Sequence, residues 1–71
     1  MELILYKTPE HSFKYMLGAL LMEAEHLPIQ AEQCILIANN TGQCTIKQGE
    51  LDKLLEIKSG LEKRKLKVEI V

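Results

Sequence analysis

Few residues of this sequence are able to do chemistry: His11 and His26, Cys34 and Cys44, the near neighbours Glu23 and Glu25, and the basic run Lys63-Arg64-Lys65 with Lys67. The histidines stand on either side of a helical stretch, and neither has a carboxylate or cysteine at ligand spacing, so no metal site is expected. The cysteines lack a CxxC arrangement, and no base is placed to activate either as a nucleophile. One cysteine pair without a secretion signal reads as two free, partly buried thiols. Glu23 and Glu25 project about 160° apart on a helix of ~3.6 residues per turn, so they do not act as a carboxylate pair. Gly18, Gly42, Gly49 and Gly60 are scattered singly and form no phosphate loop. The expectation is a non-enzyme without catalytic residues, cofactor or metal.

The basic run has no aromatic residue interleaved and is flanked by Glu62 and Glu69, which makes a poor nucleic-acid patch. It reads as a helix C-terminus leading into a lysine-guarded strand edge, with an acidic protein partner as the second reading. Charge overall points the same way. Nine basic against ten acidic side chains give a net charge of -1, too small a field to draw the chain to nucleic acid or an anionic membrane. No apolar run approaches the ~20 residues that span a bilayer, and the N-terminus lacks the basic flank and cleavage site of a signal peptide. A cytoplasmic protein is expected.

The elements that must carry these residues follow from pattern. Seventy-one residues suit one domain, 1–71, and the 46% hydrophobic fraction suffices for its core. With only Tyr6, Phe13 and Tyr15 as aromatics, the packing must come from Leu, Ile, Met and Val. The stretch Ala31 to Ile46 organises the chain: a helical run halts at Asn39-Asn40-Thr41-Gly42, and an alternating strand, Gln43 to Lys47, begins at once. Before it, Glu2 to Lys7 reads as a strand closed by Thr8-Pro9. Ser12 is placed to cap a helix over Phe13 to Glu25, and Pro28 opens a second helix reaching about Ala38, with Ala31, Cys34, Ile35 and Ala38 inward. After Gln48-Gly49 a third helix spans Glu50 to about Glu62, with Leu51, Leu54, Leu55 and Leu61 inward and Gly60 able to end it a turn early. Leu66 to Val71 alternates as a last strand. The order strand-helix-helix-strand-helix-strand predicts an α+β two-layer sandwich, helices on one face of a three-stranded sheet and the terminal strands adjacent.

The first helix carries the one unusual surface. A wheel at about 100° per residue centres its core face on Phe13, Leu17, Leu20 and Ala24, leaving Tyr15, Gly18, Ala19 and Met22 on the far side instead of a charged row. An apolar back is either buried against another element or exposed as a contact patch. The candidate protein-binding residues are therefore Tyr15, Gly18 and Met22, with Asn39 at the edge.

The element order, the length, and the segment AEQCILIANNTG before a short strand resemble the superfamily that joins the Clp protease adaptors (ClpS-type) with the C-terminal domain of the bacterial ribosomal stalk protein. Ala31 and Gly42 stand at the separation found in the adaptors, with Asn39 in the place of their histidine. Where the adaptors carry the acidic residues that grip the amine of an N-degron, this sequence has Lys7-Thr8-Pro9, with Glu10 the nearest acid. Glu50 to Val71 is similar to the stalk domain, but its basic factor-binding helix corresponds here to Phe13 to Glu25, with Lys14 alone. The resemblance implies an α+β sandwich and a non-catalytic protein-binding role without an intact N-degron amine pocket. The implied partner is a Clp-type chaperone or its client; self-association as a structural homodimer, or translation-factor binding as in the stalk, are the alternatives.

Overall fold

All 71 residues are described by a computed structural model. The first strand, β1 (Glu2–Tyr6), becomes the middle of a three-stranded antiparallel sheet of order β2-β1-β3, flanked by β2 (Gln43–Gln48) and β3 (Val68–Ile70). Its central place explains its composition. Leu3 and Leu5 point to one face and are fully buried under the helices, while Ile4, on the other face, is also nearly inaccessible. The helices are α1 (Phe13–Glu23), α2 (Pro28–Thr41) and α3 (Leu51–Lys63), so the expected element order is the one found. Leu3, Leu5, Ile46 and Val68 share one core cluster with Met16, Leu20, Ile35, Leu54 and Leu61 of the helices. This is an α+β sandwich with its terminal strands paired: Leu3 lies opposite Ile70 and Leu5 opposite Val68.

Local signals set the helix ends. Ser12 takes an extended backbone and its hydroxyl accepts the Tyr15 N–H at 3.1 Å, satisfying one of the donors that the first turn of α1 leaves free. Pro28 opens α2, where the missing N–H costs nothing. Leu27 at its N-cap has no side-chain acceptor, but its own N–H is held by Gln30 Oε1 at 2.9 Å. Gly42 ends α2 in the left-handed region, φ 98°, which a side chain would resist. The helix runs through Asn39, Asn40 and Thr41 instead of stopping near Ala38, because Gly42 is the first residue suited to that geometry.

Ala31, Cys34, Ile35 and Ala38 are the buried face of α2, as their spacing predicts. The other two helices are rotated from expectation. In α1 the buried residues are Met16, Ala19 and Leu20; Phe13 remains 40% exposed and Leu17 is half-buried. Ala19 belongs to the core and not to the outer side, because α1 packs against both α2 and α3. Their combined surface takes up Met16 and Ala19, while Phe13, the first residue of the helix, stays at the margin. In α3 the buried row is Leu54, Ile57 and Leu61, at spacings of three and four, and Leu51 and Leu55 lie outside it.

Gly60 does not interrupt α3. A side chain there would run into the Glu23 carboxylate, with the Glu23 Cδ only 2.9 Å from where a Cβ would stand, so the glycine serves a close approach of α1. The last strand is shorter than its alternation suggests, Val68–Ile70, because Leu66 is still tied to α3: its N–H donates to Leu61 O at 3.2 Å.

Candidate functional site

The outer stripe of α1 is built by i, i+3, i+7 spacing, which stacks Tyr15, Gly18 and Met22 along one side of the helix. Tyr15 is 43% exposed; its ring stacks on His11 at 4.7 Å between centroids, and its hydroxyl donates to Arg64 O at 3.0 Å. Met22 is 70% exposed, and Arg64 Nη2 donates to its sulfur at 3.5 Å. Gly18 is half-buried with open space where a side chain would stand. Asn39 is exposed near the end of α2, and no hydrogen bond joins it to the other three. Tyr15 and Met22 thus meet at Arg64.

Arg64 was not legible as a member of this group. It caps α3, and its side chain turns back across α1, Nε bonding Glu23 Oε2 at 2.7 Å with both side chains less than a third exposed. The backbone of the same turn is held by His11, whose Nε2 donates to Lys65 O at 2.9 Å. Lys65 itself adopts φ 68°, a left-handed conformation uncommon outside glycine. The stripe is therefore oily at Met22 and Tyr15 and carries one ion pair beneath. Leu27 and Ile29, at the start of α2, are also exposed, 64% each.

A second region gathers residues that are distant in sequence. His26, Cys34 of α2 and Cys44 of β2 line one cleft of about 230 Å³, although linear spacing gave no reason to associate them. His26 Nε2 donates to Ile46 O at 2.9 Å, and its Nδ1 is buried without a partner. Both cysteines are free thiols. Burial first, then hydrogen bonding to and repulsion from Cys44, push the Cys34 thiol well above its ordinary pKa. That is the reverse of what a nucleophilic cysteine needs. No group of three or more His, Cys, Asp or Glu side chains is arranged to hold a metal ion.

A third hollow, about 390 Å³ and wide open, lies along β3 between Tyr6, Glu62, Leu66, Lys67, Val68 and Glu69. The Tyr6 hydroxyl donates to Glu69 Oε2 at 3.3 Å; reduced hydration, with the carboxylate beside it, raises the phenol above its usual pKa. Lys7, Pro9 and Glu10 are all exposed, and Glu10 faces Lys67 at 3.9 Å. No helix is long and apolar enough to cross a membrane. No protein-family model matches the chain, and no curated protein matches it in sequence.

Proposed function

We propose that this chain is a non-catalytic protein-binding module of the cytoplasm, similar to a Clp protease adaptor but without a working N-degron amine pocket. The observation that carries this reading is Met22. A thioether chain left 70% exposed beside Tyr15 and followed by Leu27 and Ile29 is a surface that gains by being covered. Full burial of one such side chain contributes about 1.5–3 kcal/mol, so Met22 and Tyr15 together suit a moderate, reversible interface. The absence of amine recognition follows from Lys7, whose cation repels the group that such a pocket holds. Gly18 lets a partner approach the α1 backbone between the two anchors.

The occupant implied by the resemblance is a Clp-type chaperone or its client. Affinity capture with the wild-type chain and with Met22→Lys tests this. The reading expects a Clp chaperone or its client to be retained by the wild type and lost by the variant, with circular dichroism unchanged. Equal retention by both removes this surface from consideration, and retention of a translation factor instead favours the stalk-like alternative.

A further inference from the structure

The two edges of the sheet are treated differently. Along β2 three carbonyls are engaged by side chains: Thr41 Oγ1 donates to Gln43 O at 3.0 Å, Cys44 Sγ to Thr45 O at 3.5 Å, and His26 Nε2 to Ile46 O at 2.9 Å. A register shift between Leu3 and Ile4 further distorts that pairing. β2 therefore offers another strand fewer free acceptors and a less regular edge.

β3 has none of this. Glu2 and Val71 exchange both backbone hydrogen bonds at 2.8 Å, and Tyr6 N–H donates to Lys67 O at 2.9 Å. Antiparallel bonding alternates, so Val71, Glu69 and Lys67 spend their backbone groups on β1 while Val68 and Ile70 direct theirs outward. No side chain or loop accepts from or donates to those outward groups, and Val68 borders the open hollow along β3.

We infer that a second copy of this chain adds to this edge, β3 against β3, antiparallel about a two-fold axis at Val68, to make one continuous six-stranded sheet. The self-complementary sequence Leu66-Lys67-Val68-Glu69-Ile70 selects that occupant and that register. With Val68 opposite the partner's Val68, Lys67 falls opposite the partner's Glu69 and Glu69 opposite the partner's Lys67. All four side chains are on the open face, where Lys67 and Glu69 are exposed. These are the non-hydrogen-bonded pairs, in which side chains approach most closely. On the helix side Leu66 meets the partner's Ile70. A lone lysine on an edge repels a second copy; a lysine two residues from a glutamate does not. About four backbone hydrogen bonds form: Val68 N–H to the partner's Val68 carbonyl, Ile70 N–H to the partner's Leu66 carbonyl, and their symmetry mates. Leu66 N–H is already committed to Leu61 O. The Lys67–Glu10 pair at 3.9 Å is surface-exposed and yields at little cost. This surface is distinct from the α1 stripe, and the inference stands without the proposed function.

The test is sedimentation equilibrium over a dilution series for the wild type, Lys67→Glu, Glu69→Lys and the double exchange, with amide hydrogen exchange read on the wild type. Each single change turns two opposite-charge pairs into like-charge pairs and is expected to raise the dimer dissociation constant about tenfold or more. The double exchange restores association, which a merely structural role of either residue does not predict. Protection of the Val68 and Ile70 amides is expected to grow with concentration, while that of Glu69 stays constant. A monomer at every concentration, a dimer indifferent to the charge changes, or Val68 and Ile70 amides protected only when an unrelated extended peptide is added would each overturn the inference.

Discussion

Replacing Gly60 with alanine sets two known effects against each other. A glycine inside a helix costs roughly 1 kcal/mol relative to alanine, so Gly60→Ala alone should stabilise α3 by about that amount. The new methyl group, however, stands where the Glu23 carboxylate now lies, with Cδ at 2.9 Å and Cγ at 3.3 Å from the Cβ position. Glu23 must swing away and release Arg64, whose Nε it holds at 2.7 Å. Both side chains are 29% exposed, so solvent screens the pair and its loss is worth about 0.5–1 kcal/mol. The net change for Gly60→Ala is expected within about 0.5 kcal/mol of zero. In a Glu23→Ala background the obstacle is gone, and the same substitution should recover about 1 kcal/mol. Urea denaturation of the wild type, both single variants and the double variant gives the coupling directly, about 0.5–1 kcal/mol. If Gly60→Ala stabilises by the same 1 kcal/mol or so in both backgrounds, the glycine has no role in seating Glu23 and the argument fails.

Two further expectations rest on single residues. Ser12→Ala removes the only side-chain acceptor at the start of α1, leaving the Tyr15 N–H without its partner, and should cost about 1 kcal/mol in denaturant unfolding while leaving the Pro28 end of α2 untouched. The Cys34 thiol is raised in the folded state, so its contribution to stability is complete below the unfolded pKa of about 8.5 and falls as pH climbs above it. The unfolding midpoint should therefore drop between about pH 8 and pH 10, less so in Cys34→Ala, and a midpoint equally flat in both proteins would contradict the assignment.

The element order, the Ser12 and Pro28 starts and the inward face of α2 could be read from the chain because each rests on local chemistry. A hydroxyl before a helix, a ring without an N–H, and small residues at three- and four-residue spacing act the same way wherever they occur. Gly42 ends α2 for the same kind of reason, its φ of 98° being one that the preceding asparagines and threonine do not supply as readily. Gly60 was misread by this logic, since its cause lies in another helix. The Tyr15–Met22 stripe was legible as a spacing, but not the guanidinium of Arg64 between its ends, which arrives from a turn more than forty residues away.

What the sequence determined by itself is the set of elements and the residues able to bury or cap them, because those depend on neighbours within a turn or two. What only the tertiary structure decided is which side of each helix faces in, and which groups from separate segments meet. Ala19 replaces Phe13 in the core because α1 rests on two helices at once. His26 reaches Cys34 and Cys44 only through the packing of α2 on β2. Thr41 and His26 reach carbonyls of β2 from outside that strand, whereas no side chain reaches the backbone of Val68 or Ile70, and an unpaired backbone group looks the same in a sequence whether or not something distant comes to fill it.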